Sequence, residues 1–420
     1  MQSSIKLRLT VMNFLQFAVW GAYLTSMGRY LGTAGFGSEI GNFYAMQGLV
    51  SLFMPALMGI VADRWIPAQR LLGLCHTLAG MLMLGVFLYT QTDAPSYPSL
   101  FALYSLSVAF YMPTLALSNS VAYTSLEQAG LDLVKSFPPI RVFGTVGFIC
   151  TMITVSLVGV EATSGQFAVS GIIGLVLAVY AQTLPNCPTA PKGQSKSLVE
   201  ALGLRAFVLF KERKMALFFI FSMLLGVSLQ ITNGFANPFI STFGEIPAYA
   251  DTFGVKHANI LISLSQLSET LCILLIPFAL RRFGIRRVML IAMTAWVLRF
   301  ALLGLGDPGS GVWLFLLSMI VYGVAFDFFN VSGSLFVDKE TDPSIRSSAQ
   351  GLFMIMTNGI GATLGSLGAQ AVINYFVNSE TDTTAILAGW SMSWYVFAAY
   401  AAVVTVLFAL LFRYKTETEA

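Results

Sequence analysis

LFLLSMIVYGVAFDFFNVSGSLFV, residues Leu314–Val337, runs 24 positions with one charged side chain, Asp327. A helix needs about 20 largely apolar residues to cross the hydrocarbon core of a bilayer, so this stretch is long enough to span one. ILISLSQLSETLCILLIPFAL (Ile260–Leu280) is a second such stretch, and its one charged residue is Glu269. An ionised group at bilayer depth is costly and by default marks a substrate or ion pathway. The only basic residues at comparable depth are Arg141 and Arg299. The whole chain has the same character: of 420 residues, 56% are hydrophobic and 10% charged, against about 25% charged in soluble domains. The net charge of +3 and the scatter of basic residues over short loops exclude a nucleic-acid partner. Cys75, Cys150, Cys187 and Cys272 lack metal-ligand spacing, which argues against a zinc site or a disulfide framework and for packing roles. No nucleophile–base pair stands out, so the chain reads as a non-enzyme with no metal and no cofactor.

Working outward on the same length scale predicts an all-α membrane protein with twelve spans. They fall near 8–28, 41–62, 71–91, 99–122, 139–160 and 166–184, then 215–242, 257–280, 287–305, 311–336, 347–376 and 390–412. Lys6 and Arg8 precede an apolar run that is too long for a cleaved leader and carries Asn13, Gln16 and Trp20; it reads as the first span. The domains expected are a six-helix bundle over 1–184, a cytoplasmic linker over 185–214 and a second six-helix bundle over 215–420. Within the linker, SLVEALGLRAFVLFKERK (197–214) has apolar residues at helical spacing and is expected to lie on the membrane surface, the alternative being an extension of the seventh span. With both termini inside, the outer segments hold only Arg29 and Lys256 among the Lys and Arg residues of the loops, an asymmetry that places both termini in the cytoplasm.

The two halves carry similar basic turns, GIVADRWIPAQR (Gly59–Arg70) and ALRRFGIRR (Ala279–Arg287). Two six-helix halves with such turns resemble the major facilitator superfamily, whose signature there is roughly G-x-x-x-D-[RK]-x-G-[RK]-[RK]. Gly59, Asp63 and Arg64 match it, whereas Ile66, Pro67 and Ala68 depart from it. The resemblance implies a cytoplasmic latch, carried over to Asp63 and Arg64 only.

Helical spacing isolates candidate site residues. Gln230 and Asn233 are three apart, as are Gln266 and Glu269; Tyr322 and Phe326 are four apart, with Asp327 and Asn330 on a neighbouring face. Residues at these spacings share a helix face. Such groups face an interior cavity or bond between helices. Arg141, Thr145 and Phe148 form one stripe behind Pro138 and Pro139, prolines expected to mark a helix start, which would let Arg141 snorkel to the inner interface. Asn13, Gln16, Trp20 and Tyr23, and likewise Tyr111, Thr114 and Asn119, could line a cavity or not. His76 and His257 are expected at the interfaces. Aromatic rings, amides and a few charges together suit a ligand with a planar heterocycle and hydroxyls. A nucleoside satisfies both, and a sugar–proton symporter of the same fold is the alternative.

FLQFAVWGAYL, FMPALMGIVAD, FPPIRVFGTVGF, SLQITNGFANP, SQLSETL and YGVAFDFFNVSGSLFV resemble the bacterial nucleoside:proton symporter family of the major facilitator superfamily. The resemblance implies uptake of nucleosides driven by protons, through alternating access, by a monomer in the cytoplasmic (inner) membrane. It implies substrate contacts at Arg141, Thr145, Phe148, Gln230, Asn233, Gln266, Glu269, Tyr322 and Phe326, with Asp327 or Glu269 as the proton carrier. Nothing in the sequence ranks one nucleoside above another.

Overall fold

The structure, a computed structural model, describes residues 2–189 and 204–414. Among these residues every regular element is helical and no strand occurs. The composition requires this: apolar side chains cannot satisfy backbone N–H and C=O groups in lipid, and a helix satisfies them within itself. In chain order the helices are α1 (Gln2–Gly21), α2 (Met27–Thr33), α3 (Ile40–Ser51), α4 (Met54–Arg64), α5 (Ala68–Tyr89), α6 (Tyr97–Gln128), α7 (Leu133–Leu157) and α8 (Gly165–Ala181). They continue as α9 (Arg213–Thr242), α10 (Ala258–Leu305), α11 (Val312–Glu340), α12 (Arg346–Met354), α13 (Ala362–Phe376) and α14 (Thr383–Leu411). Nine stretches among the described residues are long and apolar enough to cross a membrane.

The eighth and ninth expected spans are two helical segments within α10, divided at Gly284, which leaves helical geometry at φ 74°, a conformation glycine adopts without strain. The basic turn Arg281–Arg287 lies around that division. Two departures from the expected boundaries stand out. Pro138 and Pro139 do not open α7, which begins at Leu133; they lie past its first turn, where each removes one helical hydrogen bond, a loss that membrane helices tolerate, and Arg141 lies deeper in the helix than a first-turn position. The surface helix expected over 197–214 lies partly outside the described residues. Its described part, Leu204–Lys211, is a 3-10 helix with Ala206 and Leu209 buried.

The chain divides into two compact units, Met1–Tyr30 with Leu49–Leu202, and Leu31–Gly48 with Gly203–Ala420. In the first, α1 packs on α7 and α8, and α5 packs on α6 and α8. A core of Leu9, Met12, Leu71, Leu72, Val121, Ile140 and Leu177 joins these helices. The α1–α7 crossing is closed by small residues, as in many membrane helix pairs. A Cβ on Gly147 would collide with the main chain of Phe14, and one on Gly21 with that of Phe148. In the second unit, α10 packs on α11 and α14, and α9 on α13. There a Cβ on Gly323 would meet the Ser268 carbonyl oxygen at 2.5 Å. Both close crossings lie beside candidate site residues: Gly147 precedes Phe148, and Gly323 and Ser268 flank Tyr322 and Glu269.

Candidate functional site

In the first unit, the Arg141 guanidinium lies over the Phe17 ring at 4.1 Å. Phe148 is buried and meets Trp20 edge to face at 6.4 Å. Thr145, between them on the same stripe, is half-buried. Phe17 was not singled out from the sequence, although it lies four residues after Asn13 and three before Trp20, on the same face of α1. Its apolar character hid it among core residues.

Behind this stripe the polar residues of α1 and α6 bond to one another. Gln16 donates to the Thr114 hydroxyl at 2.7 Å, the His76 ring nitrogen Nε2 lies 2.8 Å from the Gln16 side-chain oxygen, and the Tyr111 hydroxyl donates to the Gln16 carbonyl at 2.9 Å. Asn13 donates to the Leu9 carbonyl. The bonds of Gln16 run between helices and hide polar groups, as is usual in membranes, whereas that of Asn13 stays within α1. The set corrects the expectation for His76, which is not interfacial: it is 0% exposed and packs against Tyr111 at 5.9 Å. Asn119 is half-buried. Cys75, Cys187 and Cys272 are buried, whereas Cys150 is exposed on α7, so packing within the protein does not account for that one. At the end of α4, Asp63 is half-buried and Arg64 exposed.

The second unit brings most of its candidates together. The Tyr322 and Phe326 rings stack, with centroids 5.6 Å apart and planes at 7°. Tyr322 lies within electrostatic reach of Gln266, Glu269, Arg299 and Asp327. Glu269 and Asp327 sense each other's charge. Asp327 is 5% exposed, and its Oδ2 has no hydrogen-bond partner among the described residues. On α9, Asn233 donates to the Gln230 side-chain oxygen at 2.8 Å, so that pair is partly satisfied within its own helix. His257 caps the start of α10 and packs on Phe253 at 5.3 Å, as expected of an end position.

Sequence reasoning passed over one further feature. Ile355–Gly361 is π-helical, a geometry found disproportionately at functional sites. Its Thr357 and Asn358 line a small recess with Phe326, Asn330 and Trp296. The paired small residues of NGIG were the available signal.

An all-helical chain with buried carboxylates beside stacked rings and amides defines a membrane transporter, and structural neighbours place its fold with the major-facilitator-like transporters. A family model described as "Nucleoside H+ symporter" matches residues 3–417, and the chain belongs to that family. It is 48% identical to a xanthosine permease of Escherichia coli over 99% of this chain and 98% of that protein. It is 46% identical to the nucleoside permease NupG of the same organism, over 98% and 97% of the two chains. A crystal structure of the nucleoside transporter NupG superposes with a TM-score of 0.89 at 45% identity, covering 98% of this chain and 100% of that one. The chain is thus a multi-pass membrane transporter and not an enzyme, and its activity is proton-coupled nucleoside uptake. The sugar–proton alternative falls with the family match.

Proposed function

We propose that Arg141, Thr145 and Phe148 contact nucleoside, and that Gln230, Asn233, Gln266, Glu269, Tyr322 and Phe326 do so as well. Phe148 and Phe326 pack against the base. Gln266 and Glu269 take ribose hydroxyls or a base edge. Asp327 carries the proton. Arginine and amides recognise hydroxyls and heterocycle edges through directed hydrogen bonds, and aromatic faces accept any base. The observation that carries the reading is the cluster on α10 and α11: a buried carboxyl with an unbonded oxygen beside a stacked aromatic pair, an amide and a second carboxylate. A carboxyl in that setting can gain and lose a proton as its surroundings change.

The transport cycle is alternating access, with nucleoside and proton moving inward together. Each positive charge moved inward gains about 2.3 kcal/mol per 100 mV, enough for roughly 40-fold accumulation at about 1.4 kcal/mol per tenfold. Twelve spans fit the helices. To the nine apolar stretches are added one for the division of α10 at Gly284, one for the shorter α8 and one for α1. We read 1–184 and 215–420 as six-helix bundles joined by 185–214, with both termini cytoplasmic, Asp63 and Arg64 as a cytoplasmic latch, and the chain as a monomer in a bacterial inner membrane. The test is radiolabelled nucleoside accumulation in proteoliposomes under an imposed proton gradient. Asp327→Asn should abolish accumulation and leave nucleoside exchange; accumulation at the unaltered level would remove Asp327 from the coupling step.

A further inference from the structure

Arg299 is a charged residue that the uptake scheme above leaves without a role. It is 2% exposed, and among the described residues no carboxylate forms an ion pair with it. A guanidinium in a membrane-spanning helix is costly and by default marks function. Its contacts are specific. One Nη1 donates to the Ser318 carbonyl at 2.7 Å, and both terminal nitrogens lie 3.4 Å from the Ser265 hydroxyl oxygen. The Ser318 hydroxyl returns a bond to the Arg299 carbonyl at 3.0 Å. The guanidinium plane lies over the Tyr322 ring at 4.5 Å, and Trp296, one turn earlier, meets that ring edge-on at 5.9 Å.

The anchor points have a common relation to the site. Ser265 precedes Gln266 and lies four residues before Glu269; Ser318 lies four residues before Tyr322. A separation of four places residues one above the other on a helix face. Arg299 therefore grips the two helical segments that carry the second unit's substrate and proton groups, one turn behind those groups. It also supports the ring of Tyr322, whose stacking partner is Phe326. Only arginine offers a flat face for the ring and a fork of donors for two helices at once; lysine supplies a point charge.

We propose that Arg299 is a positioning residue for nucleoside recognition: it sets the register of the Ser265 segment of α10 against α11 and thereby aligns Gln266 and Glu269 with the Tyr322–Phe326 stack. This rests on the site reading given above, so the experiment contains a check of each. The full-length protein is purified as wild type, Arg299→Lys, Arg299→Gln, Ser265→Ala, Tyr322→Ala, the Arg299→Lys, Tyr322→Ala double variant and Phe326→Ala, and binding of radiolabelled uridine and adenosine is measured beside Tm and monodispersity. Displacement of a binding group by a fraction of an ångström or more weakens binding steeply, with a 1 Å misplacement able to cost about 100-fold in rate. Arg299→Lys should accordingly lose about tenfold or more in affinity while remaining monodisperse, and Ser265→Ala about threefold. Adding Tyr322→Ala to Arg299→Lys should cost less than the two single losses combined, because both remove the same support. A lowered Tm with wild-type affinity in the folded fraction of the Arg299 variants would make the residue merely structural and overturn the proposal. If neither Arg299 variant can be purified, Ser265→Ala decides, and wild-type affinity there overturns it. If Phe326→Ala binds both nucleosides at wild-type strength, the site reading itself fails, independently of Arg299.

Discussion

Phe326 offers the sharpest perturbation of the candidate site. The ring is half-buried and lies parallel to Tyr322 at 5.6 Å, so Phe326→Ala removes two kinds of contact that an experiment can separate. The pair with Tyr322 exists without substrate, and an aromatic pair is worth about 0.5–1.5 kcal/mol beyond its buried area; its loss belongs to stability and lowers Tm. Stacking on a base exists only with substrate. It is worth about 1–3 kcal/mol per base by alanine substitution in nucleic-acid proteins, which at about 1.4 kcal/mol per tenfold corresponds to about 5- to 150-fold in Kd. The assay is equilibrium binding of uridine and adenosine to purified protein, with Tm followed in parallel. Phe326→Ala should weaken both nucleosides within that range. Phe326→Trp keeps an aromatic face and should stay within a few-fold of wild type. Affinity within twofold of wild type in monodisperse Phe326→Ala would refute the stacking role, and a lowered Tm with unchanged Kd would assign the ring wholly to packing against Tyr322.

Gly147→Val should destabilise the first unit by about 1–3 kcal/mol, the usual cost of overpacking, since even a Cβ there collides with the Phe14 main chain; a Tm equal to wild type would show that α1 and α7 can separate freely. Cysteines placed at positions 4 and 418 should resist impermeant thiol reagents in intact cells, and labelling of either would reject cytoplasmic termini. The exposed Asp251 carboxyl is held below its usual range by a hydrogen bond from Lys256 and by that residue's charge. Any stabilisation it gives is present above the unfolded carboxyl pKa and is lost as pH falls through the lower folded value; because the pair is exposed, Asp251→Asn should leave Tm unchanged at pH 7, and a clear drop would mean that the pair holds the loop in place.

The class of the protein and its polar helix faces were legible in the sequence because bilayer physics leaves few options. A run such as Leu314–Val337 has to be a helix, and an Asp within it has to be sheltered. Spacing alone put Gln266 with Glu269 and Tyr322 with Phe326 on shared faces, and the structure brings Tyr322 within reach of both Gln266 and Glu269. Spacing could not show which polar faces are consumed internally. Gln16 and Thr114 look like cavity residues by composition, yet they bond to each other, with His76 completing the set. Those partners sit on three different helices, and periodicity within one helix carries no information about them. The same limit applies to Phe17 beneath Arg141 and to Ser265 and Ser318 around Arg299: each is an ordinary helix residue until its neighbour across the interface is known. The division of α10 at Gly284, by contrast, was legible: the basic turn reads as a break, and its glycine is the residue that leaves helical geometry.

The arrangement also bears on how the coupling residue is to be understood. The sequence left Asp327 or Glu269 as the proton carrier and favoured Asp327 because Glu269 shares a face with Gln266. In the folded protein Tyr322 lies within reach of both carboxylates, and the two sense each other's charge. Interacting acids titrate as a pair, with apparent values that belong to neither alone. If nucleoside binds at Glu269, as proposed above, it changes the proton affinity of Asp327, and linkage requires the converse. Symport follows when the loaded pair, protonated and carrying substrate, is the form that reorients. On the proposed reading the Tyr322 ring, within reach of both acids, is part of the coupling, and Arg299, which lies over that ring, acts on substrate and proton through the same contact.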